Sequence, residues 1–156
     1  MSRLLRLFCV VAAGCAFATP AAAAPDVNRC TPTREDAFGP FGRGTPPLRA
    51  KIGSGHVLTG VVLSALDCRP IAGARVELWQ MSRNGRYTRA TSGSVITDRA
   101  GRFRFEGPYP PSYAGREPHI HIRVFAAGHR PLLTRYVPAK GERSGRVRLV
   151  LEAEEL

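Results

Sequence analysis

His119 and His121 are separated by a single residue in Pro118-His119-Ile120-His121-Ile122. On a strand, residues i and i+2 point to the same face. The two imidazoles are therefore spaced to serve as neighbouring ligands of one metal ion, and equally as two polar side chains on an exposed strand face. Two tyrosines lie upstream: Tyr87, after the turn signal Asn84-Gly85, and Tyr109, in Gly107-Pro108-Tyr109-Pro110. Phenolates are hard anionic donors. Two of them with two imidazoles suit a hard, high-valent ion such as ferric iron rather than zinc. Tyr113 lies in the same loop as Tyr109 and reads as a pocket-lining residue.

The elements that must hold these residues are short. Runs of period two cover 56–63, 74–80, 94–97, 102–106, 119–126, 132–137 and 146–152, and no segment sustains a 3.6-residue period. Turn signals such as Asp67-Cys68-Arg69-Pro70, Asn84-Gly85 and Asp98-Arg99-Ala100-Gly101 separate them. The 16 Gly and 13 Pro among 156 residues fit frequent turns and count against a helical bundle. The pattern predicts an all-β chain, a single antiparallel β-sandwich over 56–152. An irregular N-terminal arm, 24–55, precedes it.

Residues 1–23 read as a removable leader. Arg3 and Arg6 form a basic start, 7–18 are apolar, and 21–24 are small. That is a secretory signal pattern with cleavage after Ala23, too short and wrongly flanked for a membrane span. Lipidation of Cys15 in Ala12-Ala13-Gly14-Cys15 is the alternative. Either way the chain is expected in the periplasm or secreted, with no membrane span once the signal is gone. Two of the four cysteines, Cys30 and Cys68, then remain, and an oxidising compartment predicts a disulfide between them.

The formal charge is +11, falling to +9 without Arg3 and Arg6. The arginines are dispersed and often alternate with apolar residues, as in Arg102-Phe103-Arg104-Phe105 and Arg146-Val147-Arg148-Leu149. On strands that spacing describes a solvated face, and no nucleic-acid-binding module is present.

Five segments in order carry a resemblance: Val76-Glu77-Leu78-Trp79-Gln80, Asn84-Gly85-Arg86-Tyr87, Thr97-Asp98-Arg99-Ala100-Gly101-Arg102-Phe103, Gly107-Pro108-Tyr109-Pro110 and Arg116-Glu117-Pro118-His119-Ile120-His121. Together they resemble the intradiol ring-cleavage dioxygenases over residues 56–137, closest to the protocatechuate 3,4-dioxygenase side of the family. The resemblance implies a β-sandwich holding one non-haem Fe(III) through Tyr87, Tyr109, His119 and His121. Tyr109 would be the labile ligand displaced by substrate, and Arg116 the active-site cation. It implies O2 insertion between the two hydroxyl-bearing carbons of a catechol, giving a muconate-type diacid. Two departures stand out. Arg135 follows Thr134 where the family commonly has Gln, which puts a second cation near the substrate or else points it away. The stretch from Tyr87 to Asp98 is short, and a homo-oligomer is one way to complete the pocket. Two other functions fit parts of the sequence: a transthyretin-like binding module, and an iron-binding homologue without dioxygenase activity.

Overall fold

The structure, a computed structural model, describes residues 30–36 and 44–154. The leader 1–23, including Cys15, lies outside the described residues. Seven strands follow one another: β1 (His56–Ser64), β2 (Arg75–Gln80), β3 (Ser92–Ile96), β4 (Arg102–Gly107), β5 (Ile120–Phe125), β6 (Leu132–Tyr136) and β7 (Ser144–Leu151), with one 3-10 turn at Arg89–Thr91. They form two sheets, ordered β4-β1-β7 and β3-β2-β5-β6. This is the expected sandwich, with one difference. β7 pairs with β1 in parallel, from Val57 opposite Ser144 to Ser64 opposite Leu151. A parallel partner must come from a distant part of the chain, so local alternation carries no trace of it.

The core follows from period-two alternation. Leu58 and Val62 of β1, Phe103 and Phe105 of β4 and Leu149 and Leu151 of β7 face Val76, Leu78, Ile120, Ile122, Val124 and Leu132 of the other sheet. On β1 the fully buried set is His56, Leu58, Gly60, Val62 and Ser64; Val57, Thr59, Val61 and Leu63 lie half-buried on the outer face. The four-stranded sheet is different, because it is buried on both faces. Glu77, Trp79, His119 and His121 point away from the core yet are at most 3% exposed.

The arm explains part of that burial. Its first piece bridges the two sheets: Thr33 N–H donates to Val150 O of β7, and Asp36 N–H donates to Leu133 O of β6. A disulfide between Cys30 and Cys68 anchors this piece to the turn after β1. Its second piece bridges the opposite side. Ser94 N–H donates to Pro47 O, Arg49 N–H to Ser94 O, and Glu106 N–H to Ala50 O. The arm therefore satisfies backbone groups of edge strands that would otherwise be open to water or to another chain.

Candidate metal centre on the outer face

β5 sets the site. Alternation turns Ile120, Ile122 and Val124 into the core and leaves His119, His121 and Arg123 on the outer face. His119 Nδ1–H donates to Glu117 O at 2.7 Å, which leaves the Nε2 lone pair facing outward from the loop. Nε2 of His119 lies 3.2 Å from Nε2 of His121. The two rings are perpendicular, with centroids 4.7 Å apart.

A two-residue turn brings in a tyrosine. Tyr113 and Arg116 exchange both backbone hydrogen bonds, and Ala114 and Gly115 between them both have positive φ, 49° and 73°. That is the geometry of a tight hairpin turn, in which glycine removes the steric cost at the second position. The turn folds Tyr113 back over the histidines, and its hydroxyl lies 2.9 Å from His119 Nε2. Tyr87 completes the group. Its hydroxyl is hydrogen-bonded to that of Tyr113, and its ring stands 5.5 Å from that of His121.

The structure therefore brings Tyr87, His119 and His121 together, and the second tyrosine beside them differs from the one expected. Tyr109 is not beside the histidines; Tyr113 is. Tyr109 instead follows the end of β4, where its hydroxyl donates to Ala139 O at 3.1 Å and its ring meets His56 edge-on. The backbone there is fixed by close packing. A Cβ on Gly53 would sit 2.8 Å from Pro108 Cδ, and Gln80 Nε2 donates to Pro108 O. The signal for Tyr113 was present in the sequence as Tyr-Ala-Gly-Arg, a turn dipeptide that places residues 113 and 116 side by side.

Electrostatics single out the same group. Burial, then the hydrogen bond and charge interaction with Tyr113, push the Tyr87 phenol well above its ordinary value, while Arg116 opposes. Burial, followed by the charges of His119, Arg135 and Arg116, holds His121 down at about 4, with Asp36 opposing. Both arginines singled out in the sequence thus act on the site. Arg135 is the cross-strand partner of His121, so it shares its face. Trp79 is the other cross-strand partner and lies buried beside it.

One feature was not recognised from sequence. Glu77, two residues before Trp79, is 1% exposed and lies between Arg75 (3.1 Å) and Arg123 (2.5 Å). The two guanidinium groups also donate to Pro46 O and Gly44 O. This ionic row joins the second piece of the arm to the face that carries the histidines.

The donor set fits a ferric ion. With Nδ1–H of His119 committed to a carbonyl, its Nε2 is free to ligate, and the 2.9 and 3.2 Å spacings suit donors roughly 2 Å from a shared ion. Among the described residues no three His, Cys, Asp or Glu cluster, so the tyrosines are essential to any centre here. Two phenolates would offset most of a trivalent charge in a largely buried site.

The sequence model of a family described as Dioxygenase matches residues 43–142. Among solved structures, the dioxygenase domain of a dioxygenase–carbohydrate-binding protein fusion from Streptomyces sp. SirexAA-E is 24% identical at a TM-score of 0.69, covering 80% of this chain and all (100%) of that one. An intradiol ring-cleavage dioxygenase from Tetranychus urticae is 19% identical at 0.68, covering 79% and 95%. Hydroxyquinol 1,2-dioxygenase from Pseudomonas putida DLL-E4 is 21% identical at 0.65, covering 79% and 67%. At these identities the structural likeness concerns the fold. No curated protein matches the chain.

Proposed function

Because this chain belongs to the intradiol ring-cleavage dioxygenase family, we propose that it is an exported, non-haem Fe(III) enzyme that cleaves catechols between their two hydroxyl-bearing carbons. The observation that carries this reading is the convergence of Tyr87, Tyr113, His119 and His121 on one patch of the outer face. Bound ferric iron would supply a Lewis acid that favours the catechol dianion and draws electron density from the ring. The overall change balances as one catechol plus one O2 giving one muconate-type diacid.

The chain's own residues divide the remaining work. Tyr87, His119 and His121 are the fixed ligands. Tyr113, which flanks the tight turn at Ala114-Gly115, takes the labile role expected of Tyr109. Its oxygen, within hydrogen-bond reach of both Tyr87 and His119, is the one placed to accept a proton from an incoming catechol hydroxyl. Arg116 begins the strand-ward side of the same turn, and its guanidinium stabilises negative charge developing on the ring. Trp79 walls the histidines from the strand behind.

Export is supported by the leader pattern and by the Cys30–Cys68 disulfide, a bond characteristic of oxidising compartments. The mass of the processed protein recovered from the periplasm or medium should correspond to cleavage after Ala23.

Reconstitution with ferric iron tests the site. One equivalent should bind per chain and give a visible tyrosinate-to-iron band. Tyr113→Phe should shift and weaken that band and reduce ring cleavage at least a hundredfold, whereas Tyr109→Phe should retain both. A colourless wild type, or a band lost in Tyr109→Phe and kept in Tyr113→Phe, overturns the assignment.

A further inference from the structure

The first piece of the arm does more than close a sheet edge. Asp36 N–H donates to Leu133 O, and the Thr134 hydroxyl donates to Arg34 O at 3.2 Å, so this piece runs along β6. Its last described residue then meets the outer face. Asp36 Oδ2 accepts from Arg135 Nε at 2.7 Å, with both side chains about one-third exposed, at 32% and 29%. Arg135 lies directly opposite His121 in the antiparallel β5–β6 pair. Asp36 Oδ1 is buried and has no hydrogen-bond partner among the described residues. The carboxylate is bonded to Arg135 through Oδ2 alone.

We propose that Asp36 is a positioning residue for the metal centre: it holds the Arg135 guanidinium beside His121 and cancels its charge, so that the face retains a trivalent cation. The inference rests on the iron reading above and extends it to a residue outside the ligand set. The physical ground is Coulombic. Three positive charges on the ion meet two phenolates, and Arg116 and Arg135 stand on the same side. One uncompensated cation at partly buried distance weakens cation binding on the order of tenfold. Asp36 removes that penalty through Arg135, and the arm supplies it because neither β5 nor β6 has an acidic residue on that face.

The test is a charge cycle in the full chain. Ferric affinity is measured by competition with a chelator of known affinity, read on the tyrosinate band, and the unfolding temperature of each metal-free protein is recorded alongside. Asp36→Asn keeps the shape and the backbone bond; it should lower ferric affinity roughly tenfold. Asp36→Asn combined with Arg135→Gln should return to within about twofold of wild type, because the cation leaves with its partner. A purely structural brace predicts the reverse, with the double variant at least as weak as the single one and the loss following the unfolding temperature. That result, or unchanged affinity in Asp36→Asn, overturns the inference while leaving the iron centre in place. A wild type that takes up no ferric ion overturns the reading of the site, and the inference with it. If Asp36→Asn does not fold, Arg135→Gln alone decides: it should raise ferric affinity several-fold, and weaker retention contradicts the proposal.

Discussion

Two tyrosines four positions apart have different fates, and the difference is set by backbone. Tyr109 continues the direction of β4 and is drawn to His56 and Ala139. Tyr113 sits at a turn that reverses the chain and delivers it to His119. Replacing Tyr109 by Phe should cost about 1 kcal/mol of stability through the lost hydrogen bond, measurable as a shift in urea midpoint. His121 makes a separate prediction. Its pKa is held at about 4 in the folded, metal-free protein, below the ordinary value of 6.5. The unfolded chain therefore binds the extra proton first. Stability should be fully present above pH 6.5 and should fall as the pH drops towards 4. Urea midpoints across that window check it, and His121→Asn should flatten the slope. The spacing of His119 and His121 made their shared face legible from sequence, since the extended backbone that enters β5 keeps the period of two from His119 onward. The choice between Tyr109 and Tyr113 was not legible from the Pro-flanked motif, because it depends on which loop residues take positive φ.

At the scale of elements, all seven strands were readable as alternating runs, with boundaries within two residues of the structure. Two features were not. The parallel β1–β7 pair depends on closure of the sandwich, and the arm has no periodicity because it is held mainly through backbone groups of strand edges. These irregular bonds have measurable weight. The disulfide spans 38 residues of sequence, and its removal in a Cys30→Ser/Cys68→Ser variant should cost about 4 kcal/mol in the loop-entropy account. The same variant should lose ferric affinity in parallel with Asp36→Asn, since it frees the segment that carries Asp36. Glu77 is the corresponding element on the other side. Glu77→Gln leaves Arg75 and Arg123 facing each other across a buried position and should cost about 3 kcal/mol. Thermal unfolding of the metal-free protein distinguishes this loss from any change in iron binding. Alternation placed Glu77 on the outer face but gave no sign that this face is covered.

Across the whole molecule, one sheet serves as support and the other as platform. The outer face of β4-β1-β7 carries Arg102, Arg104, Arg146 and Arg148, all exposed. Arg102 and Arg104 pair with Asp98 and Glu106, consistent with a solvated face. The outer face of β3-β2-β5-β6 is instead sealed by the arm and by the loop before β5, and there the polar side chains converge. The described residues thereby bring Tyr87, Tyr113, His119 and His121 together on one side of one sheet. The most direct test of that account follows the fate of oxygen. Iron-loaded protein is given a catechol under 18O2, with oxygen uptake and product mass recorded together. The account predicts one O2 consumed per catechol, and a muconate-type diacid carrying both labelled atoms. Iron-loaded protein that consumes no oxygen across a catechol panel, or that yields a ring-opened aldehyde from cleavage beside the two hydroxyls, would contradict it.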